Sequence, residues 1–200
     1  NSFIKYGIIL DGLRRLYIMR KKICAFILRM FGWSAILKVD IPQKCVLCVA
    51  PHTSNWDLIL GELMYSAIGG VGKVNFLIKK EWLRFPFNLV IAPMGGVAVD
   101  RSKKTSLVDQ ISAEFSKRDS LRVAITPEGT RKANANWRRG FYYIAQQAQV
   151  PILLTYFDYK KKVAGIERIF VPTGDVEKDM REIKEYFSQF SGKYPENFAI

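Results

Sequence analysis

The stretch CVLCVAPHTSNWDLIL, residues 45–60, changes character halfway along. Residues 45–50 are an unbroken apolar run, the pattern of a short strand buried on both faces. Pro51 ends the run. Thr53, Ser54 and Asn55 then offer side chains that can cap a helix, which the apolar spacing predicts from about Trp56 to Ile68. A buried strand that turns at once into a helix is the repeating step of an α/β sheet.

The same alternation runs through the rest of the chain. Further strands are predicted at VNFLI (74–78), VAVD (97–100), LRVAIT (121–126), PILLTYF (151–157) and RIFVP (168–172). Helices are predicted near EWLRF (81–85), over 105–118, over 137–148 despite Gly140, and over 175–190. No internal repeat, low-complexity tract or Gly/Ser linker interrupts this order. The expected fold is a single α/β domain, residues 39–200, with a mostly parallel sheet flanked by helices.

Residues 1–38 differ from the rest and are read as a basic, amphipathic helical segment for membrane association. They carry eight Lys or Arg and one acid, Asp11, and so supply more than half of the net charge of +13. On a helix over residues 5–31, Asp11, Arg14, Arg15, Lys21, Lys22 and Arg29 fall within an arc of about 120°. Leu10, Leu13, Leu16, Tyr17, Ile23, Cys24, Ile27, Leu28 and Phe31 gather opposite, while Arg20 and Ile18 break the pattern. An ordinary surface helix packed on the domain is the alternative. Basic and apolar residues together suit an anionic lipid surface better than a nucleic acid, so a membrane partner and no nucleic acid are expected.

Three cysteines make an odd set, which disfavours a disulfide framework. Cys45 and Cys48 form a C-x-x-C, yet residues three apart in a strand point to opposite faces, and no second ligand pair exists. No metal is expected. Charges break the N-terminal apolar residues, so no signal peptide is recognisable, and no stretch approaches the roughly 20 apolar residues of a membrane span. The first residue is Asn, which leaves the native start open.

Three clusters carry candidate chemistry, each just past a predicted strand, where open α/β sheets bind ligands. His52, the only histidine, precedes Asp57 by five residues. A chain reversal between them can bring the carboxylate to Nδ1 and leave Nε2 to take a proton. Asp57 as a simple first-turn acid on the helix dipole is the competing reading. GGVAVDRS (95–102) offers glycines and Arg101, whose fork suits a phosphate or a salt bridge with Asp100. ITPEGTRK (125–132) makes a tight turn that presents backbone N–H groups, a hydroxyl and a guanidinium. Neither a Walker phosphate loop nor a G-x-S-x-G nucleophile elbow occurs.

Taken in order, these clusters resemble the glycerolipid acyltransferase family, which includes the 1-acylglycerol-3-phosphate acyltransferases. HTSNWD (52–57) is similar to its His, four residues, Asp block, and KKEWLRFPFNLVIAPMGGVAVDR (79–101) to its second block. TPEGTR (126–131) resembles the third block and VPILLTYF (150–157) the fourth. The resemblance implies that His52 is the general base and Asp57 its orienting partner. It also implies an acceptor site of Arg101, Glu128, Gly129, Thr130 and Arg131, with Lys79 and Lys80 helping to attract an anionic substrate.

The implied reaction moves a fatty acyl group from a thioester, on acyl carrier protein or coenzyme A, to a lysolipid hydroxyl. It needs no acyl-enzyme and no bound cofactor. The enzyme would lie peripherally on the cytoplasmic face of the cell membrane. Pro51, Trp56 and the strand continuation LLTYFD depart from the usual pattern, so a lyso-aminolipid or other non-phosphate acceptor competes with lysophosphatidic acid. A non-catalytic lipid-binding module is the remaining alternative.

Overall fold

Cys45 and Leu47 are buried on one side of their strand, and Val46 and Cys48 on the other. That alternation makes the strand the centre of a three-layer molecule. The computed structural model describes residues 2–70, 72–79, 95–99 and 106–200. In chain order the elements are α1 (Ser2–Met30), β1 (Ser34–Leu37), β2 (Lys44–Val49), α2 (Trp56–Ala67), β3 (Asn75–Lys79) and β4 (Gly96–Val99). They continue with α3 (Leu107–Lys117), β5 (Leu121–Ile125), α4 (Gly140–Ala148), β6 (Ile152–Asp158), β7 (Val163–Phe170) and α5 (Val176–Phe187).

Among the described residues, the strands form one seven-stranded sheet in the order β1-β7-β6-β2-β5-β3-β4. Of these neighbours only β6 and β7 pair antiparallel; the others are parallel. Val46, Cys48, Ile152 and Leu154 pack against Ile111 and Phe115 of α3, Phe141 of α4 and Ile183 of α5. Cys45, Leu47, Leu153 and Phe157 pack with Leu28 of α1 and Leu60 and Met64 of α2. Both β2 cysteines are free, and burial pushes the Cys45 thiol up to about 12 and raises that of Cys48. They are packing residues on opposite faces, as the strand period requires.

Several boundaries differ from the sequence reading. The last strand begins at Val163 rather than 168, because the Lys160–Lys162 turn folds it straight back on β6. The fourth helix begins at Gly140: Trp137 leaves the helical path to bury its ring and donates from Nε1 to the Ala199 carbonyl. The closing helix stops at Phe187. β1 was not predicted, and it pairs with β7, so the sheet begins inside the stretch read as the N-terminal segment. The helix expected near EWLRF lies outside the described residues.

α1 is one continuous helix with distinct faces. Leu28 enters the core, Tyr17 donates to the Gly69 carbonyl past α2, and Arg20 pairs with Glu62 of α2. Leu16, Met19, Ile23, Phe26 and Met30 are instead exposed. At about 100° per residue these five share an arc of about 80°. Arg15, Lys22 and Arg29 lie along one edge of that stripe.

Candidate active site

β2 lies between β5 and β6, and all three run in the same direction. Their C-terminal ends therefore open onto one edge, which gathers residues 50–57, 126–131 and 159 despite their distance in sequence. This is where a parallel sheet exposes unpaired backbone and accepts ligands.

The turn after β2 reverses the chain and brings Asp57, in the first turn of α2, back to His52. Asp57 Oδ2 lies 3.0 Å from His52 Nδ1. The same oxygen accepts the Thr53 and Ser54 backbone N–H groups, each at 3.0 Å. Oδ1 accepts the Tyr159 hydroxyl at 2.6 Å. Asp57 is 3% exposed, so these donors replace the water that its charge has lost. The His52 side chain is partly open to solvent. With Nδ1 engaged, Nε2 is the ring nitrogen left for proton transfer.

The expected caps behave differently. Asn55 is the N-cap residue but makes no capping bond with its side chain. Its amide oxygen accepts from Arg131 instead. Ser54 Oγ accepts the Trp56 N–H at 3.2 Å, and the Asp57 carboxylate takes the two preceding N–H groups.

The turn after β5 supports this loop from below. Both Glu128 carboxylate oxygens lie 3.0 Å from the His52 backbone nitrogen, which donates to them. Glu128 is 2% exposed, and burial pushes its carboxyl up to about 7, against the opposing pull of the His52 N–H. Gly129 follows at φ +66°, and a Cβ there would meet Arg138 Nε at 2.7 Å. Only glycine allows the chain this close to that guanidinium in a left-handed conformation. Thr130 and Arg131 are exposed at the rim.

A sequence profile described as Acyltransferase matches residues 36–156, which hold the His52–Asp57 turn and the Glu128–Arg131 turn but not Tyr159. The chain belongs to the acyltransferase family. It is similar to the human 1-acyl-sn-glycerol-3-phosphate acyltransferase beta, at 29% identity over 141 residues, covering 67% of this chain and 48% of the relative. The chain therefore spans about half the length of that curated relative. Its fold is similar to the crystal structure of the 1-acyl-sn-glycerophosphate (LPA) acyltransferase PlsC from Thermotoga maritima, with a TM-score of 0.59 and 17% identity. That match covers 94% of this chain and 85% of the other.

Within this member of the family, His52, Asp57, Glu128, Gly129, Thr130 and Arg131 come together, and the Glu128 carboxylate meets the His52 backbone. Lys79 ends β3, one strand beyond β5. Lys80 and Arg101 lie outside the described residues. Two contributions were missed from sequence. Tyr159 stands one residue past β6; its signal was a polar residue at a strand's C-terminal end, just beyond the fourth block. The other is the segment 191–194. Ser191 accepts the Tyr159 N–H, Tyr194 donates its N–H to Thr53 Oγ1, and Lys193 Nζ sits 5.3 Å from the centroid of the exposed Trp56 ring. No local pattern marks that segment. Among the described residues, no cluster of three His, Cys, Asp or Glu could hold a metal, and no helix is long and apolar enough to cross a membrane.

Proposed function

We propose that this chain acylates the hydroxyl of a lysolipid, 1-acylglycerol-3-phosphate first among acceptors, in phospholipid synthesis at the cytoplasmic face of an anionic membrane. The observation that carries the reading is the 3.0 Å contact between His52 Nδ1 and a buried, fully bonded Asp57 carboxylate. Such a carboxylate fixes the imidazole tautomer and stabilises the imidazolium that forms during turnover.

The chemistry needs two substrates and one base. His52 Nε2 removes the proton from the acceptor hydroxyl as its oxygen attacks the carbonyl carbon of an acyl thioester. A tetrahedral oxyanion forms, then collapses with cleavage of the C–S bond. The departing thiolate takes the proton back from the imidazolium, so the base is regenerated and no acyl-enzyme forms. Thr130 and Arg131, with Arg101, Lys79 and Lys80, would receive the acceptor's phosphate. Glu128 acts from beneath, holding the His52 backbone. The donor is an acyl chain on acyl carrier protein or coenzyme A, both of which bring negative charge to a basic protein.

The membrane part rests on α1. Its exposed stripe of Leu16, Met19, Ile23, Phe26 and Met30, edged by basic residues, is the pattern of a helix lying in a lipid interface. Lysolipid acceptors reside there.

The decisive experiment is an acyl-transfer assay with both thioester donors across lysophosphatidic acid, other lysophospholipids and a lyso-aminolipid. Lysophosphatidic acid should give the highest kcat/KM. Preference for a lyso-aminolipid would replace the acceptor while leaving the mechanism intact. His52→Ala should lower turnover by about 10²–10⁴-fold in folded protein. Unchanged turnover in that variant would rule out the mechanism.

A further inference from the structure

Asp57 is held by four donors, and three of them come from its own turn. His52 Nδ1, Thr53 N and Ser54 N all converge on Oδ2, within five residues of the carboxylate they bind. Those bonds keep the turn closed on itself, but they move with it. Among the described residues, the fourth donor is the one that ties the carboxylate to the body of the domain: Tyr159 reaches Oδ1 at 2.6 Å from the end of β6. Tyr159 is itself fixed twice. Its N–H donates to Ser191 O at 2.8 Å, and its ring meets Trp33 edge-on at 4.9 Å between centroids.

We propose that Tyr159 is a positioning residue for proton transfer, locking the Asp57 carboxylate so that Oδ2 faces His52 and drawing charge onto Oδ1. This rests on His52 being the base. Burial, and then the bond to Asp57, raises the phenol well above its ordinary value, so it remains a donor throughout the working range. A charge-assisted O–H to carboxylate bond is among the stronger neutral-donor contacts a protein makes.

The electrostatic sign follows. Without the hydroxyl, Asp57 loses a donor, its negative charge is less dispersed, and it holds a neighbouring imidazolium more tightly. The acid limb of the rate profile then moves to higher pH. Among the described residues, Glu128 faces the pair from the turn after β5, and Tyr194 faces Tyr159 from the C-terminal segment, with Lys193 beside the Tyr194 ring. The substitution leaves all three in place.

The test is Tyr159→Phe in the full chain, which keeps the ring and its contact with Trp33. Turnover should fall about tenfold, with KM for donor and acceptor unchanged and the acid limb of the kcat/KM profile moved to higher pH. Trp33→Phe, which keeps the hydroxyl but loosens its seat, should lower kcat less and leave the acid limb in place. Tyr159→Phe with wild-type kcat and an unmoved acid limb overturns the proposal. So does a lower melting temperature with an unmoved limb, which marks a structural role only. His52→Ala is run alongside. Inactive His52→Ala beside an unaffected Tyr159→Phe defeats this inference alone, whereas active His52→Ala defeats the mechanism on which it rests.

Discussion

Glu128 binds the backbone of His52 with a carboxylate that is almost wholly removed from water. Its carboxyl stands near 7 in the folded protein against an ordinary 4.5. Between those values the folded state keeps a proton that the unfolded chain has released. The stability from this group is therefore greatest below pH 4.5 and declines as pH rises toward 7, by a total on the order of a few kcal/mol. Denaturant titrations at pH 5 and pH 8 should show wild type losing more stability over that interval than Glu128→Gln. Parallel losses would show that Glu128 does not titrate in this window. At this scale the site was only half legible in the sequence. His52 and Asp57 share one turn, so their spacing alone allowed the contact. The Glu128 and Tyr159 bonds depend on which strands become neighbours, and no local pattern records that.

The elements were more legible than their ends. Apolar runs and 3.6-residue spacing identified β2, β3, β5, β6, α2 and α3 to within two residues, because burial on both faces of a central sheet leaves a continuous trace. β1 is four residues with only its middle partly buried, and β7 carries the polar run Glu167–Arg168, so neither leaves that trace. α1 was recognisable as amphipathic, but sequence alone could not divide its apolar side between core and solvent. The structure does so, and this yields a separable prediction. Replacing Met19, Ile23 and Phe26 together with Gln should weaken binding to vesicles containing anionic phospholipid by at least about tenfold, since each side chain forfeits apolar burial in the interface. The melting temperature should hardly change, because none of the three enters the core. Equal vesicle sedimentation of variant and wild type would remove the stripe from the membrane contact.

At the scale of the whole molecule, α1 is both a surface and a wall of the core. Leu28 is 3% exposed and packs with Leu47, Leu60 and Phe157. Leu28→Ala should cost about 2–4 kcal/mol, read from the denaturation midpoint, whether or not a membrane is present. A truncation that removes α1 therefore tests stability and lipid binding at once, which the surface substitutions avoid. A stability loss below about 1 kcal/mol would mean that α1 docks only loosely. The parallel pairing of β1 with β7 has a temporal side. β1 is made before its partner β7, whose first residue, Val163, is added more than a hundred residues later. At ordinary rates of synthesis that interval is roughly ten seconds. During it α1 can already dock on α2, whose Leu60 and Met64 follow Leu28 closely in the chain, while β1 still lacks its partner. The edge of the sheet that begins the domain can therefore close only after nearly the whole domain has been made.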